Sequence, residues 1–379
     1  MNAIDYIVNY GALSFEQKPF NEIDNTMMCQ LSYLNWQDIV KTRPIRLKQA
    51  GEEFFLRYGE ERVGEDGNDE DDRLALSLMY NCRRYRDLLL MDYANANDWE
   101  SEMQFGAITV QISKNLYYVA YEGTDSMIYS WKEDFNMAYM VPVPSQKRAL
   151  EYLNGQLRKR KGNFMVGGHS KGGNLAVYAA VESGSDRIIR VYNNDGPGFA
   201  QSYTSKPAYQ KMLSRMVTYL PHSSVIGTLM SSNIDQIIVQ SDGKGLVQQH
   251  DFLSWKNKNG HFVRANGFSD FSRFINESMN GWFTDLSLEE KALFINTSYD
   301  TMREMGFNTV SDLDHKKAEF LVRLVKKFIS QDKGSKSMMT QTLISLIKNS
   351  GMSFVNAFFL LRLNHAVQSG TDARTENKQ

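Results

Sequence analysis

The segment that most constrains this chain runs from Asn163 to Ser183, NFMVGGHSKGGNLAVYAAVES. An apolar, strand-like run over Asn163–Gly167 passes directly into Gly168-His169-Ser170-Lys171-Gly172, and a helix is predicted from Gly172 to Ser183, closed by Gly184. A strand that turns into a helix this abruptly leaves room only for small residues around the central position. Gly168 and Gly172 meet that demand, and Gly173 and Ala176 let the helix pack close. The turn lifts Ser170 off the end of the sheet and sets it at a helix N-terminus, where the positive end of the dipole favours developing negative charge. The bare G-x-S-x-G pattern is common by chance, so the strand before it and the helix after it carry the reading of an activated serine. A phosphate loop would require GxxxxGK[ST], which this segment lacks; a plain glycine-rich turn is the alternative.

The flanking sequence supports that context. Phe105–Ile112 and Leu116–Tyr121 are β-rich runs separated by Ser113-Lys114-Asn115, a hairpin signal. Ser145 is placed to cap a helix lined by Ala149, Leu150, Leu153 and Leu157. Further strands are expected at Ile188–Asn193, Arg215–Leu220 and Asp235–Gln240. Strands alternating with helices imply an α/β fold, a mainly parallel sheet flanked by helices on both faces. Residues 1–58 look like a helical N-terminal segment, with Asn25 and Thr26 preceding MMCQLSYLNW. Residues 59–72, GEERVGEDGNDEDD, read as a solvated acidic loop, because no register supplies the oxygen ligands, central glycine and closing glutamate of a calcium loop. Helical periodicity returns in LSLEEKALFINTSYDTMREM and AEFLVRLVKKFI. The expected organisation is a domain over 1–280, a C-terminal helical appendage over 281–368 and a disordered tail over 369–379.

Composition narrows the function. With 43 Lys+Arg against 44 Asp+Glu the net charge is −1, which does not suit a protein that lives on nucleic acid. Two cysteines, Cys29 and Cys82, exclude a disulfide scaffold, a CxxC site and a zinc finger, and fit a reducing compartment. The N-terminus, MNAIDYIVNYGALSFEQ, has no basic region before an apolar core, so a secretory signal is not expected and a cytoplasmic location is. Apolar stretches such as Met352–Leu363 fall short of the ~20 residues that span a bilayer. Peripheral contact with lipid stays open, as does the oligomeric state.

These residues point to a family. GGHSKGGNLA resembles the GHSLGGALA elbow of the class 3 (fungal-type) lipases among the α/β-hydrolases. Upstream, Tyr118-Val-Ala-Tyr-Glu-Gly-Thr-Asp-Ser126, followed by Trp131 and Asp134, resembles the strand those lipases end in F-R-G-T-x-S with a downstream W-x-x-D. Downstream, Asn194-Asp-Gly-Pro-Gly-Phe199 sits where they carry a G-x-P-x-x-G turn. The layout is more similar still to the bacterial Mbeg-like branch, a resemblance that takes in IDYIVNYGALSF, LPHSSVIG and QHDFLSW and covers roughly residues 1–320.

The resemblance implies a serine esterase, with Ser170 as nucleophile and no metal or organic cofactor. The oxyanion hole would use the backbone N–H of Lys171 and Thr124, the latter through its N–H and its hydroxyl. Glu122 departs from the family's arginine, and Thr124 is also read as a simple turn residue. For the base, the order Ser, acid, His and the QHD segment favour His250, with His222 and His261 as alternatives. His169, inside the elbow, is read as a packing group. Class 3 lipases place the acid after the second strand beyond the elbow, but here that strand runs into Pro221-His222-Ser223-Ser224 without a carboxylate. Asp195, at the preceding strand end, is the favoured acid; it is otherwise a turn cap, and Asp242 and Asp251 are weaker candidates. Lys171 replaces the lipases' apolar residue, and its charge is expected either to favour an anionic substrate or to snorkel. SMIYSWKEDFNMAYMVPVP reads as a lid or as a core helix using Trp131, Phe135 and Ala138. The expected function is hydrolysis of lipid-like or acyl carboxylic esters through an acyl-enzyme. The alternative is a degenerate hydrolase fold acting as an interaction module.

Overall fold

The computed structural model describes residues 1–59, 70–98, 100–125, 128–230, 234–270, 272–273, 276, 286–307 and 316–330. Most of the expected acidic loop over 59–72, the whole tail over 369–379 and the rest of 281–368 lie outside the described residues. In chain order come α1 (Ala3–Tyr10), α2 (Glu22–Tyr33), β1 (Ile45–Arg46), α3 (Leu47–Tyr58), α4 (Glu70–Asn81), β2 (Leu89–Asp98), β3 (Met103–Ser113) and β4 (Leu116–Tyr121). They are followed by α5 (Ile128–Asn136), α6 (Pro144–Lys159), β5 (Asn163–His169), α7 (Lys171–Ser183), β6 (Ile188–Asn194), α8 (Gln201–Thr204), α9 (Pro207–Met212), β7 (Met216–Pro221), β8 (Gln236–Val239) and α10 (Gly245–His250).

The eight strands lie side by side in sequence order. β1 to β4 pair antiparallel, and β4 to β8 pair parallel. The α/β expectation therefore holds, as an α/β-hydrolase-type sheet flanked by helices. Sequential order has a consequence that the sequence pattern alone did not reveal. Right-handed crossovers that always step the same way deliver their helices to one face of the sheet. On that face Tyr117, Val119, Tyr121, Phe164 and Val166 pack with side chains of α6, α7 and α9. The alternate residues Tyr118, Ala120, Met165, Tyr192 and Val217 point the other way, into a core completed by α1, α2 and α3. The N-terminal segment is thus the second layer of the sandwich. Each of its fully buried side chains Met27, Met28, Leu31 and Leu34 contributes roughly 1.5–3 kcal/mol of burial.

Local chemistry moves several boundaries. Helix α2 begins at Glu22, ahead of the expected Asn25–Thr26 start. Asn21 accepts from the Ile23 and Asp24 amides, while Asp24 accepts from the Asn21 amide, a complete capping box. Asn25 is buried and donates to Asn194 Oδ1 at 2.8 Å. Ser145 lies inside α6 and does not cap it; the Gln146 side chain accepts from Val143 N at 3.0 Å. Strand β2 escapes sequence reading because LLMDYANAND does not alternate. Asp92 takes a positive φ of 51° there, at a register shift between Met91 and Ala94.

The chain divides into two units, Met1–Asp125 with Glu133–Asn280, and Ser126–Lys132 with Gly281–Gln379. The first contains the sheet. In the second, helices Leu288–Glu304 and Lys317–Ser330 pack on each other, the former started by a Ser287/Glu290 capping box. No described helix is long and apolar enough to cross a membrane.

Candidate active site

Parallel pairing aligns strand ends. Tyr121 is opposite Gly168, His169 opposite Asn194, and Asn194 opposite Tyr219. The segments that follow β4, β5, β6 and β7 therefore emerge together at the carboxyl edge of the sheet, where open α/β sheets hold their sites.

Ser170 occupies the turn from β5 into α7 with φ 53° and ψ −131°, a strained backbone conformation that side chains rarely adopt. Its amide donates to Asn194 O at 3.0 Å. The flanking glycines are required by contact. A Cβ on Gly168 would lie 2.2 Å from the Gly172 carbonyl carbon, and one on Gly172 would lie 2.2 Å from the Tyr121 carbonyl oxygen.

Asp195, the residue after β6, is 1% exposed and has φ 52°. Its Oδ2 accepts from His250 Nδ1 at 2.7 Å. Its Oδ1 accepts from the Ser224 hydroxyl and from Gly227 N at 3.2 Å. Burial pushes the Asp195 carboxyl above its ordinary range, while His250, Ser224 and the Gly227 amide act in the opposite sense. The turn-cap reading of Asp195 does not describe it: Asn193 Oδ1 accepts from Gly196 N at 2.8 Å and takes that part. The loop after β7, which lacks a carboxylate, supplies Ser224 as a donor to the acid.

The other candidates sit elsewhere. His222 Nδ1 bonds Gly267 O at 2.8 Å, and His261 Nδ1 lies 3.8 Å from Glu22. Asp242 pairs with Lys256 at 2.7 Å, and Asp251 caps its own turn by accepting from Leu253 N at 2.8 Å. His315 and His365 lie outside the described residues.

Thr124 follows β4, and its hydroxyl donates to Asp134 Oδ2. That proton is committed, which leaves the Thr124 amide as the donor available to an oxyanion. Lys171 is the first residue of α7, so its amide has no carbonyl one turn back to bond. Its side chain corrects the expectation of a charge facing substrate or snorkelling to solvent. The ammonium is buried, donating to Gln104 O at 2.9 Å and pairing with Glu133 Oε2 at 3.3 Å. Glu133 also accepts from the amides of Gln104 and Ser145. Around this lysine burial pushes Glu122 up to about 8 and Asp134 up to about 7, with Lys171 pulling both down. In α5 the residues Ser130, Glu133 and Asn136 are buried, whereas Phe135 is 45% exposed, contrary to the core-helix reading.

His169 does more than pack. It contacts Tyr33 Oη through Nδ1 at 2.8 Å and His250 O through Nε2 at 2.8 Å. Sequence reasoning missed Ser224, Glu133 and Tyr33. Each acts across a sequence separation that no local spacing reveals; the only available signal was Ser224's place in the loop where an acid was sought. Among the described residues no cluster of His, Cys, Asp and Glu could hold a metal ion.

No curated protein matches the chain. Among solved structures it is similar to the M37 lipase, at 14% identity and a TM-score of 0.31, over 42% of this chain and 64% of that one. The chain thus spans under two thirds of that lipase's length. The model of the Mbeg1-like family matches residues 79–300, more than half of the sequence and a span that includes Ser170, Asp195 and His250. The chain belongs to the Mbeg1-like family.

Proposed function

We propose that the protein is a serine hydrolase of carboxylic esters, lipid-like or acyl, working through an acyl-enzyme on Ser170. The observation that carries this reading is the 2.7 Å bond between His250 Nδ1 and a buried Asp195, at the sheet edge from which the strained Ser170 turn emerges. An acceptor at Nδ1 fixes the tautomer, so the lone pair lies on Nε2. On this reading the Ser170 hydroxyl attacks the ester carbonyl carbon and passes its proton to His250 Nε2. Negative charge on the carbonyl oxygen is met by the Lys171 and Thr124 amides. The carbon–oxygen bond to the leaving alcohol then breaks, with His250 returning the proton to that oxygen. Water repeats the sequence on the acyl-serine and releases the acid. Residues 1–280 would form the catalytic domain.

The test is labelling with a fluorophosphonate probe, with and without detergent, in wild type, Ser170→Ala and His250→Ala. Labelling lost in both variants is expected. Folded wild-type protein that resists the probe under both conditions would favour an interaction module built on a hydrolase fold.

A further inference from the structure

A hydrogen-bonded chain runs from Tyr33 through His169 to the His250 main chain, and its proton positions follow by elimination. The His250 carbonyl can only accept, so His169 Nε2, 2.8 Å away, carries a hydrogen. Burial, and then His250 itself, hold the His169 imidazole well below its ordinary range, so it is neutral and its Nδ1 accepts. Tyr33 Oη, 2.8 Å from that nitrogen, must therefore donate. The Tyr33 oxygen also packs against Gly123, on the turn that leads to Thr124. The fit at Gly123 is close, since a Cβ there would lie 2.1 Å from Tyr33 Oη. The two histidine rings also lie against each other, tilted by 38° with centroids 4.4 Å apart, and Phe252 closes the edge of His169 at 4.9 Å.

We infer that Tyr33 and His169 are positioning residues that lock the catalytic base to the oxyanion turn. The inference rests on the serine-hydrolase reading and extends it. Asp195 anchors the His250 ring, and His169 anchors the His250 main chain, so the imidazole is held at both ends. Tyr33, packed against Gly123, backs the turn that presents Thr124. Because His169 stays neutral, it packs against His250 without opposing the imidazolium that forms during reaction. The two hydrogen bonds of His169 and the contact of Tyr33 with Gly123 together set the spacing between base and oxyanion donors.

The experiment uses full-length wild type, Tyr33→Phe, His169→Gln, His169→Leu and the double variant Tyr33→Phe/His169→Leu. Each is assayed for p-nitrophenyl butyrate kcat and KM, with thermal unfolding as the folding control. Tyr33→Phe removes one oxygen atom and keeps the test intact if His169→Leu does not fold. Displacement of the base is expected to lower kcat by about 10–100-fold in Tyr33→Phe and His169→Leu, with KM changing less than about twofold. The double variant is expected to be no worse than His169→Leu, and glutamine, which offers a donor and an acceptor, to recover most of the loss. Imidazole 15N NMR is expected to show His169 as the Nε2–H tautomer. Wild-type kcat in Tyr33→Phe, additive losses in the double variant, or a hydrogen on His169 Nδ1 would overturn the inference while leaving the serine reading standing. A wild type with no esterase activity, unchanged by Ser170→Ala, would overturn both.

Discussion

At the scale of single residues the site depends on atoms that few other residue types supply. Asp195 is dehydrated at a positive φ and held by three donors. Asp195→Asn preserves the shape but lets the amide favour the wrong His250 tautomer; kcat is expected to fall about 10³–10⁴-fold in ester assays with little change in fold. Ser224→Ala removes one donor to a buried carboxylate, a bond of about 1.5–3 kcal/mol, and is expected to cost about tenfold in kcat. The elbow was legible in the sequence because Gly168 and Gly172 answer a steric demand that repeats wherever a strand turns straight into a helix. His250 and Asp195 were legible as a short list, drawn from chain order. What selects them is the pairing of strand ends, a tertiary fact. Ser224 shows the limit: a lone serine in a loop has no signature until the carboxylate it serves is in place.

Between elements, Lys171 joins α7 to α5 and to the start of β3. Replacing it with leucine, the residue of the lipase elbow, would leave Glu133 buried without its counter-ion. Breaking a buried pair on one side costs about 3–5 kcal/mol, so Lys171→Leu is expected to unfold at markedly lower urea, and Lys171→Leu/Glu133→Gln to recover much of the loss. The neighbouring carboxyls add a pH dependence whose sign follows from linkage. Unfolded, Asp134 and Glu122 titrate at the ordinary 3.8 and 4.5; folded, at about 7 and about 8. Between these limits the folded chain holds more protons, so this contribution is complete at the acid end and is lost as pH rises through the window. Urea midpoints of Glu122→Gln and Asp134→Asn, compared with wild type between about pH 5 and about pH 8, are expected to show a flatter decline. An unchanged slope would mean the two groups are hydrated.

Over the whole molecule, the sheet is closed by two sources of helix. Crossover helices cover one face, and α1, α2 and α3 cover the other, with Arg84 tying down α2 and the segment between α1 and α2. Its guanidinium pairs with buried Asp24 at 2.5 Å and reaches the carbonyls of Leu13, Ser14, Lys18 and Pro19. Arg84→Met is expected to lower stability by about 3–5 kcal/mol in chemical denaturation, since it strands Asp24. The alternating pattern announced a sheet with two buried faces, but periodicity is blind to which segment covers which face. That is why the pattern marks α2 only as part of a helical N-terminal segment, although it brings Tyr33 to His169. The central claim is that these layers exist to activate Ser170. Its most direct test is rapid mixing of full-length protein with p-nitrophenyl butyrate, followed by acid quench and peptide mass spectrometry. An initial burst of p-nitrophenol near one equivalent, with a butyryl group on the Ser170 peptide, is the expected result. Folded protein that gives no burst, no turnover and an unmodified Ser170 would contradict the account.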